Sequence, residues 1–249
     1  GKGVLLSDEH LKTQEEGEQY AKKCIEKFGR VVIEEKLIGQ EFSLMSFVDG
    51  RHVVDMPPVQ DHKRAFVADK GPNTGGMGSY SDANHSLPFL TKKDLDEAHA
   101  ITEHVAHALF QETGVLFKGI MYGGFIAVAH GVRLIEYNAR FGDPEVMNVL
   151  PILQTDFLEV CEGILGGHVD SVKIEFEKKA TVCKYVVPEG YPDNPAAGEK
   201  IEIENSTRAT SGAAKMYYAS VDQKSDGLYL SSSRAVAFVG IAENLEKAW

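Results

Sequence analysis

Two apolar-rich runs, Gly119 to Ala129 and Val132 to Asn138, have only His130-Gly131 between them. A parallel pair needs a crossover of roughly a dozen residues or more, so this connection commits the two runs to an antiparallel hairpin. The same signal recurs at Asp49-Gly50, a turn dipeptide between Glu41–Val48 and His52–Met56. Val31 to Glu35 is a further β-branched run ahead of a turn at Gly39, so 31–56 reads as a three-stranded antiparallel meander. Two helical patterns flank these strands. In Thr13–Phe28, Tyr20, Ala21, Cys24, Ile25 and Phe28 recur at helical spacing, and Gly29 ends the run. In Lys92–Glu112, Leu95, Ala98, Ile101, Val105, Ala108 and Leu109 share one face. Antiparallel sheets with flanking helices define an α+β fold rather than the alternating units of a parallel sheet.

Pro57 to Pro88 interrupts the pattern. It is rich in Gly, Pro, Asn and Asp and poor in periodicity, which predicts a long irregular loop of the kind that carries function. Pro144–Leu150 and Asp156–Leu165 read as helices. After Gly167 the character changes: Lys173–Val187 is strand-like, Pro188–Pro195 is turn-rich, and 200–204, 214–221 and 227–239 read as short strands. The expected division is therefore a first domain over 1–172 and a small, mainly β domain over 173–249.

A net charge of −11 argues against a broad basic surface for nucleic acid or anionic lipid, while leaving room for a local basic pocket. No apolar run approaches the roughly 20 residues of a membrane-spanning helix. The opening residues do not have the form of a signal peptide. Cys24, Cys161 and Cys183 are odd in number and widely spaced, as expected of reduced thiols in a cytoplasmic protein. The chain opens at Gly1-Lys2-Gly3-Val4 with no Met ahead of it, which reads as a start inside a longer polypeptide. No oligomeric state is legible.

The candidate chemistry begins at Ile135-Glu136-Tyr137-Asn138-Ala139-Arg140. Alternation along a strand puts Glu136 and Asn138 on one face, opposite Ile135 and Tyr137. A carboxylate and an amide oxygen side by side suit a hard divalent cation, and Arg140 can join them against a phosphoryl or carboxylate group. A solvated polar strand face is the simpler reading of the same residues. Asp143-Pro144 has the form of a helix cap followed by a first-turn proline, and a helix start beside Arg140 would also make an anion site. Asp69 to Ser81 (DKGPNTGGMGSYS) has enough glycine for backbone N–H groups to converge on an anion, but it lacks the ending of a P-loop. Gln60-Asp61-His62-Lys63-Arg64 is a charge cluster, solvated by default. Glu34 and Glu41 flank the Gly39 turn, from where both could face one cleft. No nucleophile–base arrangement is present.

In order along the chain, GKGV (1–4), VVIEEKLIGQEFS (31–43), VQDHKR (59–64), KGPNTGGMGSYS (70–81), IEYNARFGDPE (135–145) and SSSRAVAFVGIAENLEKA (231–248) resemble the ATP-grasp ligases. Within them they are most similar to the phosphoribosylamine–glycine ligases, also called glycinamide ribonucleotide synthetases. The resemblance implies an ATP-grasp domain with antiparallel sheets and flanking helices, followed by a small β domain. It implies ATP binding by Lys2, by Glu34 with the backbone of Glu35 and Leu37 around the adenine, and by Glu41 at the ribose. It implies that Glu136 and Asn138 hold Mg²⁺ or Mn²⁺, which agrees with the lack of a carboxylate in Tyr122–Ala129. Arg140 and Asp143 would be catalytic, lining the glycine and acyl-phosphate region with Pro144 and Glu145. Asp61, Lys63, Asn73, Gly75, Gly76 and Met77 would meet phosphoribosylamine, whose phosphate calls for a basic, amide-rich pocket.

The implied reaction forms glycyl phosphate from glycine and ATP, then transfers the glycyl group to 5-phosphoribosylamine. No protein nucleophile is required, because positioning and charge carry such chemistry. The resemblance also implies an α/β domain and a phosphate-binding lysine ahead of Gly1, and a segment beyond Trp249. Two other readings compete: an ATP-grasp ligase with a different amine acceptor, and a nucleotide-binding fragment inactive by itself.

Overall fold

The computed structural model describes residues 4–67, 70–203 and 214–249. The chain forms two compact units, Gly1–Gly39 and Gln40–Trp249.

The first unit is built on helix α1 (Gln14–Phe28). Thr13 and Glu16 form a capping box: Thr13 Oγ1 accepts from the Glu16 N–H at 3.2 Å, and Glu16 Oε2 accepts from the Thr13 N–H at 3.3 Å. Gly29 closes the helix in the left-handed region at φ 76°. The strand expected over Val31–Glu35 does not form; residues 31–38 carry no strand pairing, and Val32, Ile33 and Ile38 are exposed. β-Branched residues favour an extended backbone, but a strand exists only through its ladder, and no described residue pairs with this segment. The three-stranded meander is thereby reduced to a two-stranded one.

The second unit contains a four-stranded antiparallel sheet of β1 (Gly39–Val48, starting at the last residue of the first unit), β2 (Val53–Asp55), β5 (Gly119–Val128) and β6 (Gly131–Asn138), in the order β2-β1-β5-β6. Both of its faces are covered. Along β1, Phe42 and Leu44 pack with Ala98 of α2 (Lys92–Thr113), while Met45 and Phe47 pack with Val160 and Ile164 of α4 (Phe157–Gly166). This two-sided burial leaves Phe42 through Val48 buried without a break, Ser43 and Ser46 included, where a strand with one wet face would alternate. Helix α2 begins in a second capping box, Thr91 with Asp94, and ends at Gly114, φ 70°. Its deepest residues include Thr102, whose hydroxyl accepts from the Tyr137 hydroxyl at 2.8 Å.

The predicted irregular loop is mostly strand. β3 (Gln60–Phe66) and β4 (Lys70–Ser81) form a hairpin whose ladder is interrupted by register shifts between His62 and Arg64 and between Arg64 and Phe66. It belongs to a five-stranded sheet in the order β3-β4-β7-β12-β9, with β7 (Ala180–Val186), β12 (Val236–Ala242) and β9 (Ala214–Tyr218). β3 is the sheet edge, and much of β4 is glycine and polar residues, so backbone pairing rather than side-chain alternation holds them. Strands on both sides of position 172 therefore share one sheet. The strand expected over 227–239 is broken into β11 (Gly227–Leu230) and β12 by a short segment containing Arg234. A small three-stranded sheet joins β10 (Val221–Lys224), β11 and β8 (Lys200–Ile201). The chain ends in a short helix, α5 (Leu245–Ala248), capped by Asn244.

Candidate active site

A cleft opens between the two large sheets, and all of its walls are second-unit residues. From β6 come Glu136 and Asn138, and just beyond it Arg140. The two metal candidates are adjacent, with Asn138 Nδ2 donating to Glu136 Oε1 at 3.1 Å. Ile135 also faces the cleft and is 42% exposed, although alternation places it on the far side. A β-bulge is the cause: Gly124 pairs with Glu136 but Phe125 with Leu134, so Ile135 is the extra residue that reverses the facing.

From β3 come Asp61 and Lys63, alternate residues on one face. The cluster that looked solvated in sequence is thus sorted by the pleat: His62, on the other face, stacks on Tyr80. Lys63 Nζ contacts Glu41 Oε2 at 2.9 Å and Asp61 Oδ2 at 4.0 Å. Gly75 lines the cleft within an irregular stretch of β4, where the Gly76 N–H donates to Thr74 Oγ1 at 3.0 Å. Asn73 and Met77 are not part of the lining, and Gly76 reaches the site only through its neighbours.

Glu145 is buried and accepts a 2.7 Å hydrogen bond at Oε1 from the Tyr122 hydroxyl. Gly142 must lack a side chain here, since a Cβ would lie 2.5 Å from both Glu145 Oε2 and the Tyr122 ring. Asp143 does not cap a helix. Its peptide bond to Pro144 is cis, and helix α3 (Val146–Val149) begins after Glu145. Both Asp143 oxygens are otherwise engaged, Oδ1 by the Tyr185 hydroxyl at 2.5 Å and Oδ2 by Arg234 Nη2 at 2.9 Å. With only four residues, α3 does not supply the anion site expected from a helix start.

Burial sets the electrostatics. It raises the proton affinity of Asp61, with Lys63 opposing and Glu41 reinforcing. It raises Glu145 as well, reinforced by Asp61 and opposed by the Tyr122 hydrogen bond and Lys63. Burial pulls Lys63 down, but the charges of Asp61 and Glu41 outweigh it and the lysine is held above its ordinary value. The walls carry Glu41, Asp61, Glu136, Asp143 and Glu145 against Lys63 and Arg140. The expected basic pocket is therefore an acidic one with two cations set into it. Such a lining suits a divalent metal and an amine, and tolerates a phosphate only with a cation beside it.

Of the remaining expected residues, Glu34, Glu35 and Leu37 lie in the unpaired segment of the first unit. Lys2 and Asp69 fall outside the described residues. Tyr122, Tyr185 and Arg234 were not singled out from sequence. Each lies in a run that read as strand, and Arg234 also within the 231–248 stretch that carries the resemblance, but what defines them is a long-range partner.

Residues 1–146 match the phosphoribosylglycinamide synthetase ATP-grasp (A) domain, and residues 181–249 match the C domain of the same enzyme. The chain is 50% identical over 248 residues to the phosphoribosylamine–glycine ligase of Methanocella arvoryzae, covering 100% of this chain and 56% of that protein. It is 51% identical over 251 residues to the enzyme of the same name from Methanocaldococcus jannaschii, again covering 100% and 56%. The chain thus spans little more than half the length of these relatives. Among solved structures, phosphoribosylamine–glycine ligase from Thermotoga maritima superposes with a TM-score of 0.77 at 27% identity, over 94% of this chain and 58% of that one. A biotin carboxylase from Campylobacter jejuni shares the fold at 12% identity, with a TM-score of 0.68 over 99% of this chain and 52% of that one.

Proposed function

Since the chain belongs to the phosphoribosylglycinamide synthetase family, we propose that it is the ATP-grasp and C-domain portion of an ATP-dependent ligase. The ligase joins glycine to 5-phosphoribosylamine, giving glycinamide ribonucleotide, ADP and phosphate, and works in the cytoplasm with its cysteines reduced. The domain division we propose lies at 172/173, between the two matched stretches, as a division of the sequence, since β4 and β7 pair across it in one sheet. The observation that carries the reading is the cleft itself. It brings the Glu136–Glu145 strand end and the glycine-rich stretch at Gly75 together around Lys63, Asp61 and Glu145.

Glycine is a poor acyl donor because its leaving group would be oxide. In the first step a glycine carboxylate oxygen bonds to the γ-phosphorus of ATP, the bond to the ADP oxygen breaks, and an acyl phosphate results. Arg140, exposed at the cleft with one nitrogen donating to the Phe141 carbonyl at 2.7 Å, is placed to hold the moving phosphoryl group. Glu136 and Asn138 fit Mg²⁺ or Mn²⁺: both offer hard oxygens, and Glu136 has no Lys or Arg partner among the described residues. Bound there, the ion would offset phosphate charge and order the oxygens for transfer.

In the second step the amine nitrogen of phosphoribosylamine attacks the acyl carbon, phosphate leaves, and the amine sheds a proton. Asp61 and Glu145, whose burial raises their proton affinity, are the groups positioned to accept it. Lys63 stays charged and keeps the two carboxyls from repelling an incoming phosphate.

The test is ADP release by the full-length protein with glycine and phosphoribosylamine, against other carboxylate and amine pairs. Turnover with a different acceptor alone would assign a different ATP-grasp ligase, and Mg-ATP binding without turnover on any pair would leave only a nucleotide-binding module.

A further inference from the structure

Arg234 is far from the cleft in sequence, yet only 13% of its side chain is exposed, and it lies where two cleft segments meet. Nη1 donates to the carbonyls of Gly75 at 2.8 Å, Gly76 at 3.0 Å and Asp143 at 3.2 Å. Nη2 donates to Asp143 Oδ2 at 2.9 Å. The guanidinium sits over the Tyr185 ring at 4.5 Å, and the Tyr185 hydroxyl takes the other Asp143 oxygen. The segments it ties also touch directly: a Cβ on Gly76 would lie 2.6 Å from Pro144 Cδ, and one on Gly75 would lie 3.1 Å from Arg234 Nη2. The planar fork therefore spans the stretch assigned to the phosphorylated amine and the turn assigned to glycine, with no slack between them.

We propose that Arg234, seated on Tyr185, is a positioning residue that sets the distance between the acyl phosphate and the attacking amine. It does so without touching either, by fixing Gly75–Gly76 against Asp143. This rests on the ligase reading above. If the spacing slackens, the acyl phosphate still forms, but water reaches its carbonyl carbon before the amine does. Water's oxygen bonds to that carbon, phosphate departs, and glycine is regenerated, so ATP is spent without an amide. Misplacement on this scale slows an oriented step roughly ten- to a hundred-fold.

The experiment measures ADP formed per glycinamide ribonucleotide formed by the full-length protein, with phosphoribosylamine generated in place from ribose 5-phosphate and ammonia. Wild type is expected to give one ADP per amide. Arg234→Met should raise the ratio several-fold. Arg234→Lys, which keeps the charge but not the fork, should give a partial rise, and Tyr185→Phe, which removes only the hydroxyl, a smaller one. A merely structural loss lowers the amount of active protein and leaves the ratio at one. A ratio of one in all three variants overturns this proposal while leaving the ligase reading intact. If Arg234→Met does not fold, Arg234→Lys and Tyr185→Phe decide the matter. Absence of turnover in the wild type would overturn the ligase reading and this proposal together.

Discussion

Asn148 is completely buried, just past the Asp143–Glu145 turn, and binds the glycine-rich strand to β7. Its side-chain oxygen accepts from the Ser79 hydroxyl. Its side-chain nitrogen reaches the Ser79 carbonyl at 3.3 Å, the Thr181 carbonyl at 3.2 Å and Thr181 Oγ1 at 3.1 Å. Thr181 Oγ1 keeps the Asn148 backbone carbonyl as its acceptor at 3.1 Å, so Asn148→Ala removes a partner from two carbonyls and from the Ser79 hydroxyl in a place without water access. At about 1 kcal/mol for each orphaned group, the loss is about 3 kcal/mol. For a chain of this size that lowers the melting temperature by roughly 6–12 °C. Asn148→Asp has nearly the same volume and keeps the acceptor for Ser79, but it turns an oxygen toward two carbonyls. If donor groups matter and volume does not, the Asp variant loses at least as much as the Ala variant near neutral pH. It should recover part of that loss in acid, where a protonated carboxyl can donate once. Thermal unfolding followed by circular dichroism, at neutral and acid pH, measures both. An Asp variant melting within about 2 °C of wild type at neutral pH would refute the reasoning.

Glu136→Ala should abolish most of the metal-dependent gain in ATP affinity in the full-length protein, and unchanged Mg-ATP binding by calorimetry would count against the metal assignment. Gly142→Ala forces a methyl group against Glu145 and the Tyr122 ring, 2.5 Å from each; it should cost about 1–3 kcal/mol, seen as a lower urea midpoint. Asp49, whose side chain is fully buried, is pushed up by burial, but His52 and the N–H groups of His52, Arg51 and Val169 outweigh this and hold it at about 2. A depressed carboxyl stabilises the fold above its unfolded value of 3.8, and that contribution, about 2 kcal/mol, disappears as pH falls through about 2. Asp49→Asn should flatten stability over that window. His52, raised chiefly by its hydrogen bond to Asp49, acts in the opposite sense: its contribution is full below 6.5 and is lost as pH rises through its folded value.

Local rules made parts of this molecule legible. Thr13 and Thr91 each precede an acid at the third helical position, and Gly29 and Gly114 follow the last turns, so both long helices could be bounded by eye. The His130-Gly131 turn fixed one hairpin, and alternation paired Glu136 with Asn138. Each of these depends on residues within a few positions of one another. The glycine-rich stretch was misread as loop because a strand held by its backbone ladder, among glycines and polar side chains, leaves no period in the sequence. Ile135 was misplaced because a bulge depends on the partner strand, not on its own neighbours. The segment 31–38 shows the converse: a strong β pattern is not a strand without something to pair with.

The residues by themselves determined which groups were on offer: Glu136, Asn138 and Arg140 along one strand, Asp61 and Lys63 in a charge cluster, and Asp143 and Glu145 just beyond the strand end. Only the tertiary structure decided how they act together. It occupied both oxygens of Asp143, buried Glu145 under Tyr122, and reached across the chain with Arg234 to hold Gly75 against Asp143. Charge and alternation are properties of a short stretch, whereas burial and the partner of a guanidinium depend on which strands come to lie side by side.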